Sequence, residues 1–200
     1  PDHGMNPVSL ARYRANRLRV VPEVSYSPHA REGQYNPRLD LVLFVNGIPT
    51  ATLELKSEFK QSVENAKRQY RYDRPVKDPV TRKPEPLLTF KRGALVHFAV
   101  SQDEVAMTTQ LKGKDTFFLP FNKGHNLGQG NPPNPTGHKT AYLWQEVFTK
   151  ESLANIIQHF VRLDGSSKDP LPKRTLFFPR YHQLDVVRKL VDHAAQYGVG

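Results

Sequence analysis

Apolar and polar positions alternate most regularly between residues 38 and 56, where the run Leu39 to Val45 and the run Ile48 to Leu55 flank Asn46-Gly47. Asn-Gly supplies the positive φ that tight turns require, so the pattern predicts two buried strands joined by a hairpin. Asp40, Glu54 and Lys56 interrupt the apolar runs. A charge among aliphatic neighbours is costly unless it is paired or holds an ion. Side chains alternate faces along a strand, so Glu54 and Lys56 share one face and Leu53 and Leu55 the other. Asp40 joins Glu54 and Lys56 only if the hairpin gains one residue. A plain two-residue loop pairs Val45 with Ile48 and sets Asp40 against Leu53, whereas an odd-length turn such as Asn46 to Ile48, or a bulge, sets it against Glu54. One of these is expected.

Downstream the period changes. Phe59, Val63, Ala66 and Tyr70 recur at spacings of three and four with Lys60, Glu64, Lys67, Arg68 and Arg71 around them, which predicts a helix behind the second strand. Prolines and charges from Pro75 to Pro86 read as a loop. Ala94 to Val100, Val105 to Leu111 and Phe117 to Phe121 are further strands, with His97 expected as a core histidine. Upstream, Leu18 to Tyr26 reads as a strand preceded by Arg12, Arg14 and Arg17, and Glu23 within it is left outside the cluster. Asn122 to Lys139 is a long Asn, Gly and Pro loop without the Lys-Ser/Thr ending of a Walker A loop. Trp144, Val147 and Phe148, then Leu153, Ile156, Ile157, Phe160 and Val161, predict two helical segments, the second started by Glu151-Ser152. Asp164 to Arg174 reads as a polar linker, followed by a helix with Leu184, Val187, Leu190 and Val191 on one side.

Composition narrows the function. The 200 residues suffice for one domain with a real core, or one domain and the start of another. Lys and Arg number 29 against 19 Asp and Glu, a net +10 that favours a polyanionic partner such as DNA. The absence of cysteine excludes disulfides and thiolate metal sites and fits a reducing compartment. No apolar run approaches the roughly 20 residues of a membrane span, so a cytoplasmic protein with no membrane partner is expected. The chain begins at Pro1 and stops at Gly200 straight after a helix, which reads as a fragment. Two carboxylates with a lysine are suited to holding Mg²⁺ and acting on a phosphodiester.

Asp40, a gap, and then Glu54-Leu55-Lys56 between apolar strands resemble the PD-(D/E)XK nuclease core. The wider wording is similar to the N-terminal part of HsdR, the restriction subunit of type I restriction-modification enzymes. It runs through Leu39-Asp40-Leu41-Val42-Leu43-Phe44-Val45-Asn46-Gly47-Ile48-Pro49, Gln69-Tyr70-Arg71, Lys91 to Phe98, Leu119 to Gly124 and Phe178 to Gln183. The resemblance implies an α/β fold with a mixed central sheet flanked by helices, followed by the start of a RecA-like superfamily 2 helicase motor. It divides the chain into a nuclease domain over 1–163, a linker over 164–174 and a truncated motor start over 175–200. It further implies that Asp40 and Glu54 bind Mg²⁺ or Mn²⁺, with the Leu55 carbonyl as a third ligand, and that Lys56 and Gln69 serve catalysis. The family places a tyrosine four residues after this glutamine; here that position is Asp73, with Tyr70 and Tyr72 flanking it. Arg180 and Gln183 match the adenine-reading motif, so ATP belongs to the full-length subunit alone. The implied partners are double-stranded DNA and the M and S subunits. A basic module that docks DNA or its neighbouring subunits without catalysis is the competing expectation, and a stand-alone repair nuclease is a weaker one.

Overall fold

The computed structural model describes residues 6–57 and 62–198. The core is a six-stranded sheet made of β1 (Leu18–Ser25), β2 (Arg38–Val45), β3 (Ile48–Leu55), β4 (Val96–Val100), β5 (Val105–Thr108) and β6 (Leu119–Pro120), hydrogen-bonded in that order. Every neighbouring pair is antiparallel except β3 and β4, which run parallel. Parallel neighbours need a crossover. It is supplied by α2 (Val63–Arg68), which continues into a wider π-type turn over Gln69–Asp73, and by the loop to residue 95. The predicted stripe holds where it is described: Val63, Ala66 and Tyr70 are buried, while Phe59 and Lys60 lie outside the described residues.

Alternation along the strands builds two cores. Leu43, Ala51, Leu53, Phe98, Val100 and Met107 turn to one face, where Phe121, Phe148 and Phe178 complete an aromatic cluster. Val42, Ala99 and Ala106 turn to the other, against α2, Tyr26, Tyr70 and Leu88. The charges lie on this second face.

The hairpin obtains its extra residue from a bulge. Asn46 and Gly47, at φ 53° and 82°, form a two-residue turn with Val45 opposite Ile48 and Phe44 opposite Pro49. The register then shifts, so that Leu43 faces Ala51 and Leu41 faces Leu53. The residue gained is Thr50, whose carbonyl accepts from Leu95 N–H at 2.9 Å. The turn itself is therefore even, and the alternative of an odd loop over Asn46 to Ile48 is not the one adopted.

The remaining elements differ from expectation mainly in length. The strands predicted over 94–100, 105–111 and 117–121 shorten to β4, β5 and β6. An additional helix, α1 (Pro7–Ala15), precedes β1 and is capped by the Asn6 side chain. The helix predicted to start at Glu151-Ser152 is α3 (Lys150–His159), capped by Thr149. Residues 165–174 are closed by a small antiparallel ladder between β7 (Arg162–Asp164) and β8 (Thr175–Phe177). Phe178, Tyr181 and Leu184, the last two on α4 (Tyr181–Tyr197), pack into the aromatic core, whereas Val187, Leu190 and Val191 on α4 stay exposed. Among the described residues no helix is long and apolar enough to cross a membrane.

Candidate active site

The bulge at Thr50 decides where the carboxylates stand. The register Leu41↔Leu53 carries Asp40 opposite Glu54, and the Asp40 Oδ2 atom accepts from Leu55 N–H at 2.6 Å. Asp40 and Lys56 both lie near enough to bear on the ionisation of Glu54. The predicted triplet thus comes together on one face.

Glu54 is fully buried. Both of its oxygens are held by Arg74, with Nε to Oε1 at 2.6 Å and Nη2 to Oε2 at 3.4 Å. Arg74 is itself almost buried and donates through Nη1 to the Asp73 carbonyl at 3.2 Å. Burial pushes the Glu54 carboxyl upward, against the pull of Arg74 and with Asp40 adding to the rise. The pair spends the charge inside the protein: a buried carboxylate is tolerable because a guanidinium fork meets both oxygens.

Beneath the carboxylates lies a polar chain. Thr52 Oγ1 is 2.8 Å from Tyr70 Oη and 2.7 Å from His97 Nδ1, and all three residues are buried. Tyr70 is the tyrosine that reaches the site region, feeling the charges of Glu54 and Asp40, and burial pushes its phenol well above the ordinary value. Tyr72 is exposed. His97 is the expected core histidine, and burial pushes its imidazole down to about 3 from 6.5. Since its folded pKa lies below the unfolded one, the unfolded chain takes the proton first. The stability His97 contributes is therefore complete above about pH 6.5 and falls as the pH drops toward 3, by at most about 1.4 kcal/mol per unit. Urea midpoints at pH 7.5 and 5 should show that His97→Gln has lost this part of the slope; identical slopes would contradict a buried neutral ring.

Lys56 is half-buried beside α2. Together with Asn65, Arg68, Gln69 and Asp73 it lines an open cleft of about 420 Å³. Gln69 Oε1 is buried without a hydrogen-bond partner among the described residues, an unusual state for a polar atom. Among the described residues no group of three or more His, Cys, Asp or Glu side chains could hold a metal. A divalent ion would accordingly rest on Asp40 and Glu54 and complete its shell with a backbone carbonyl, water and phosphate, as Mg²⁺ commonly does. The donor set fits a hard cation in kind, and Arg74 is its competitor for Glu54.

Other predicted residues stand apart. Glu23, at φ 51°, is across β1 from Asp40 by register, but its exposed carboxylate pairs with Arg38 at 3.4 Å. Arg180 and Gln183 border a separate cleft of about 380 Å³ at the start of α4, where Gln183 Oε1 accepts from Arg180 N–H at 2.9 Å. A larger cavity, about 930 Å³ between α3 and α4, contains none of the triplet. In the loop after β6, Lys123 pairs with Glu146, and buried Asn131 donates to the Asp103 carbonyl and to Asn122. Sequence reasoning missed Arg74, Tyr26 and Glu85. The one signal was the demand for a countercharge at Glu54, which many arginines could have met.

A two-carboxylate and lysine cluster on a bulged hairpin, with the following helix laid over it, defines an α/β protein of nuclease-like architecture. The family described as type I restriction enzyme R protein N terminus matches residues 8–116, and the chain belongs to that family. No curated protein matches the chain.

Proposed function

We propose that this chain is the metal-dependent endonuclease region of a type I restriction R subunit, hydrolysing phosphodiester bonds of double-stranded DNA without reading sequence. The observation that carries the reading is the Asp40 carboxylate on the Leu55 N–H at 2.6 Å, in register with Glu54 and two residues from Lys56. Asp40, Glu54 and the Leu55 carbonyl would hold Mg²⁺, or Mn²⁺ in its place. Bound there, the ion supplies a Lewis acid that acidifies water and withdraws charge from the phosphate. The Lys56 ammonium orients the attacking water and offsets the negative charge that grows on the phosphate oxygens. Gln69 accepts a hydrogen bond in the same cleft and steadies the water's second proton. A surplus of ten positive charges draws the duplex to the surface.

On this reading residues 1–163 are the nuclease, 164–174 a linker and 175–200 the beginning of a helicase motor in which Gln183 and Arg180 would meet adenine. ATP would then act only in the longer subunit, in the cytoplasm, with the S subunit supplying sequence recognition and the M subunit completing the assembly. One observation favours the docking module instead: Arg74 closes both oxygens of Glu54. Calorimetry with Mg²⁺ separates the two. Binding by the wild-type chain that disappears in Asp40→Ala supports the nuclease, while no binding even with duplex DNA present leaves the docking module.

A further inference from the structure

A guanidinium lying fork to fork on a carboxylate takes the lone pairs that face it and competes with a divalent ion for the two oxygens. When Glu54 ligates, Arg74 competes with the ion for its charge, and a cation almost wholly out of water that leaves it needs another anionic or polar seat. Such a seat stands in the same neighbourhood, where Glu85 N–H donates at 3.0 Å to the carbonyl of Val76, two residues after Arg74. Tyr26 Oη and Glu85 Oε2 are both buried without a hydrogen-bond partner among the described residues. Orphaned buried polar atoms are rare and costly, so two in one neighbourhood call for a partner. Glu85 is buried, with Oε1 accepting from Ser27 Oγ at 2.8 Å, which holds its carboxyl in place and leaves Oε2 bare. The Tyr26 hydroxyl feels the charge of Arg74 and of both Glu54 and Glu85, and the neighbouring Ser27 holds Glu85. The segment carrying Glu85 is fixed from below: a Cβ at Gly93 would come within 2.2 Å of the Leu87 carbonyl oxygen, so only glycine permits that packing.

We propose that Arg74 is a displaceable counter-cation of the metal site, seated on Glu54 in the absence of a divalent ion and moving onto Tyr26 and Glu85 when Glu54 becomes a ligand. The proposal rests on the nuclease reading. It makes Arg74 a positioning residue that acts through Glu54: the fork keeps the buried carboxylate tolerable before the ion arrives, and the ion's own charge replaces it afterwards. Its Nη1 bond to the Asp73 carbonyl can act as a pivot.

Side-chain ¹⁵N spectra of the chain during a Mg²⁺ titration, with duplex DNA added if calorimetry requires it, test the movement directly. The Arg74 Nε–H signal, assigned by its loss in Arg74→Lys, should shift in step with the binding curve. Glu85→Gln should bind Mg²⁺ about tenfold more weakly, the scale of one charged hydrogen bond. Mg²⁺ binding that depends on Asp40 but leaves the Arg74 signal in place overturns the displacement, while the nuclease reading stands. A shifting signal with unaltered affinity in Glu85→Gln overturns the second seat. Absence of Mg²⁺ binding in every condition removes both the proposal and the nuclease reading.

Discussion

Replacing Arg74 with methionine should destabilise the chain by about 3–5 kcal/mol, the usual consequence of removing one partner from a buried ion pair. Glu54 has no access to water and its two oxygens face the guanidinium, so the variant must bury a bare carboxylate or protonate it. The pH dependence identifies which. With Arg74 present, burial already pushes the Glu54 carboxyl upward against the pull of the guanidinium, and without it the carboxyl binds its proton more tightly still. A group whose folded pKa exceeds the unfolded value contributes stability below the unfolded pKa and loses it as the pH rises through the folded one. Arg74→Met should therefore recover toward pH 4.5 and weaken steadily toward pH 8 and above. The double variant Arg74→Met with Glu54→Gln should regain much of the loss at neutral pH, because an uncharged amide is cheaper to bury than an ion. Urea denaturation of the four species forms the cycle. A loss below about 1 kcal/mol for Arg74→Met, the range of an exposed pair, would show that the pair is not sealed from solvent.

How much of this arrangement was legible depended on the range of the interaction. The hairpin and its extra residue follow from local rules: Asn46-Gly47 marks the turn, and the requirement that Asp40 share a face with Glu54 demands a one-residue shift. Only the choice of Thr50 as the bulged residue, rather than an odd turn, escaped, because Pro49 and the carbonyl partner at Leu95 decide it from another strand. Val63, Ala66 and Tyr70 were readable from helical spacing. Arg74 was not, since it sits one residue beyond the helical turn, where periodicity no longer applies. Glu85 lies in a proline-rich loop whose path is set by its contacts with Ser27 and Val76. At the other end, the polar composition of 164–174 suggested a linker, but the adjoining residues pair as β7 and β8 across it. Composition does not register that Phe178 finds an aromatic partner in Phe98 on β4 and Tyr181 one in Phe121 just after β6. Local signals placed the acids and lysine, and long-range packing supplied their countercharge.

On the proposed nuclease reading, Asp40→Ala, Glu54→Gln and Lys56→Ala should each lower DNA cleavage by about a thousandfold or more, and pairs of these changes should lower it little further, because groups that act as a unit are not additive. The three losses should nevertheless have different causes. Asp40 offers a hard oxygen donor, so its removal should abolish Mg²⁺ binding together with cleavage. Lys56 is not a ligand, and Lys56→Ala should keep Mg²⁺ binding and lose only the chemical step. Because Lys56 lines the open cleft rather than the core, its truncation should alter stability by no more than about 0.5 kcal/mol, as surface substitutions usually do. Glu54→Gln should reduce Mg²⁺ affinity while leaving Arg74 beside a neutral partner. Calorimetry and strand-cleavage assays run on the same preparations distinguish these cases. Retained cleavage in Lys56→Ala would remove the ammonium from the chemistry and leave the carboxylates alone to account for it; retained cleavage in Asp40→Ala would move the active site away from the bulged hairpin.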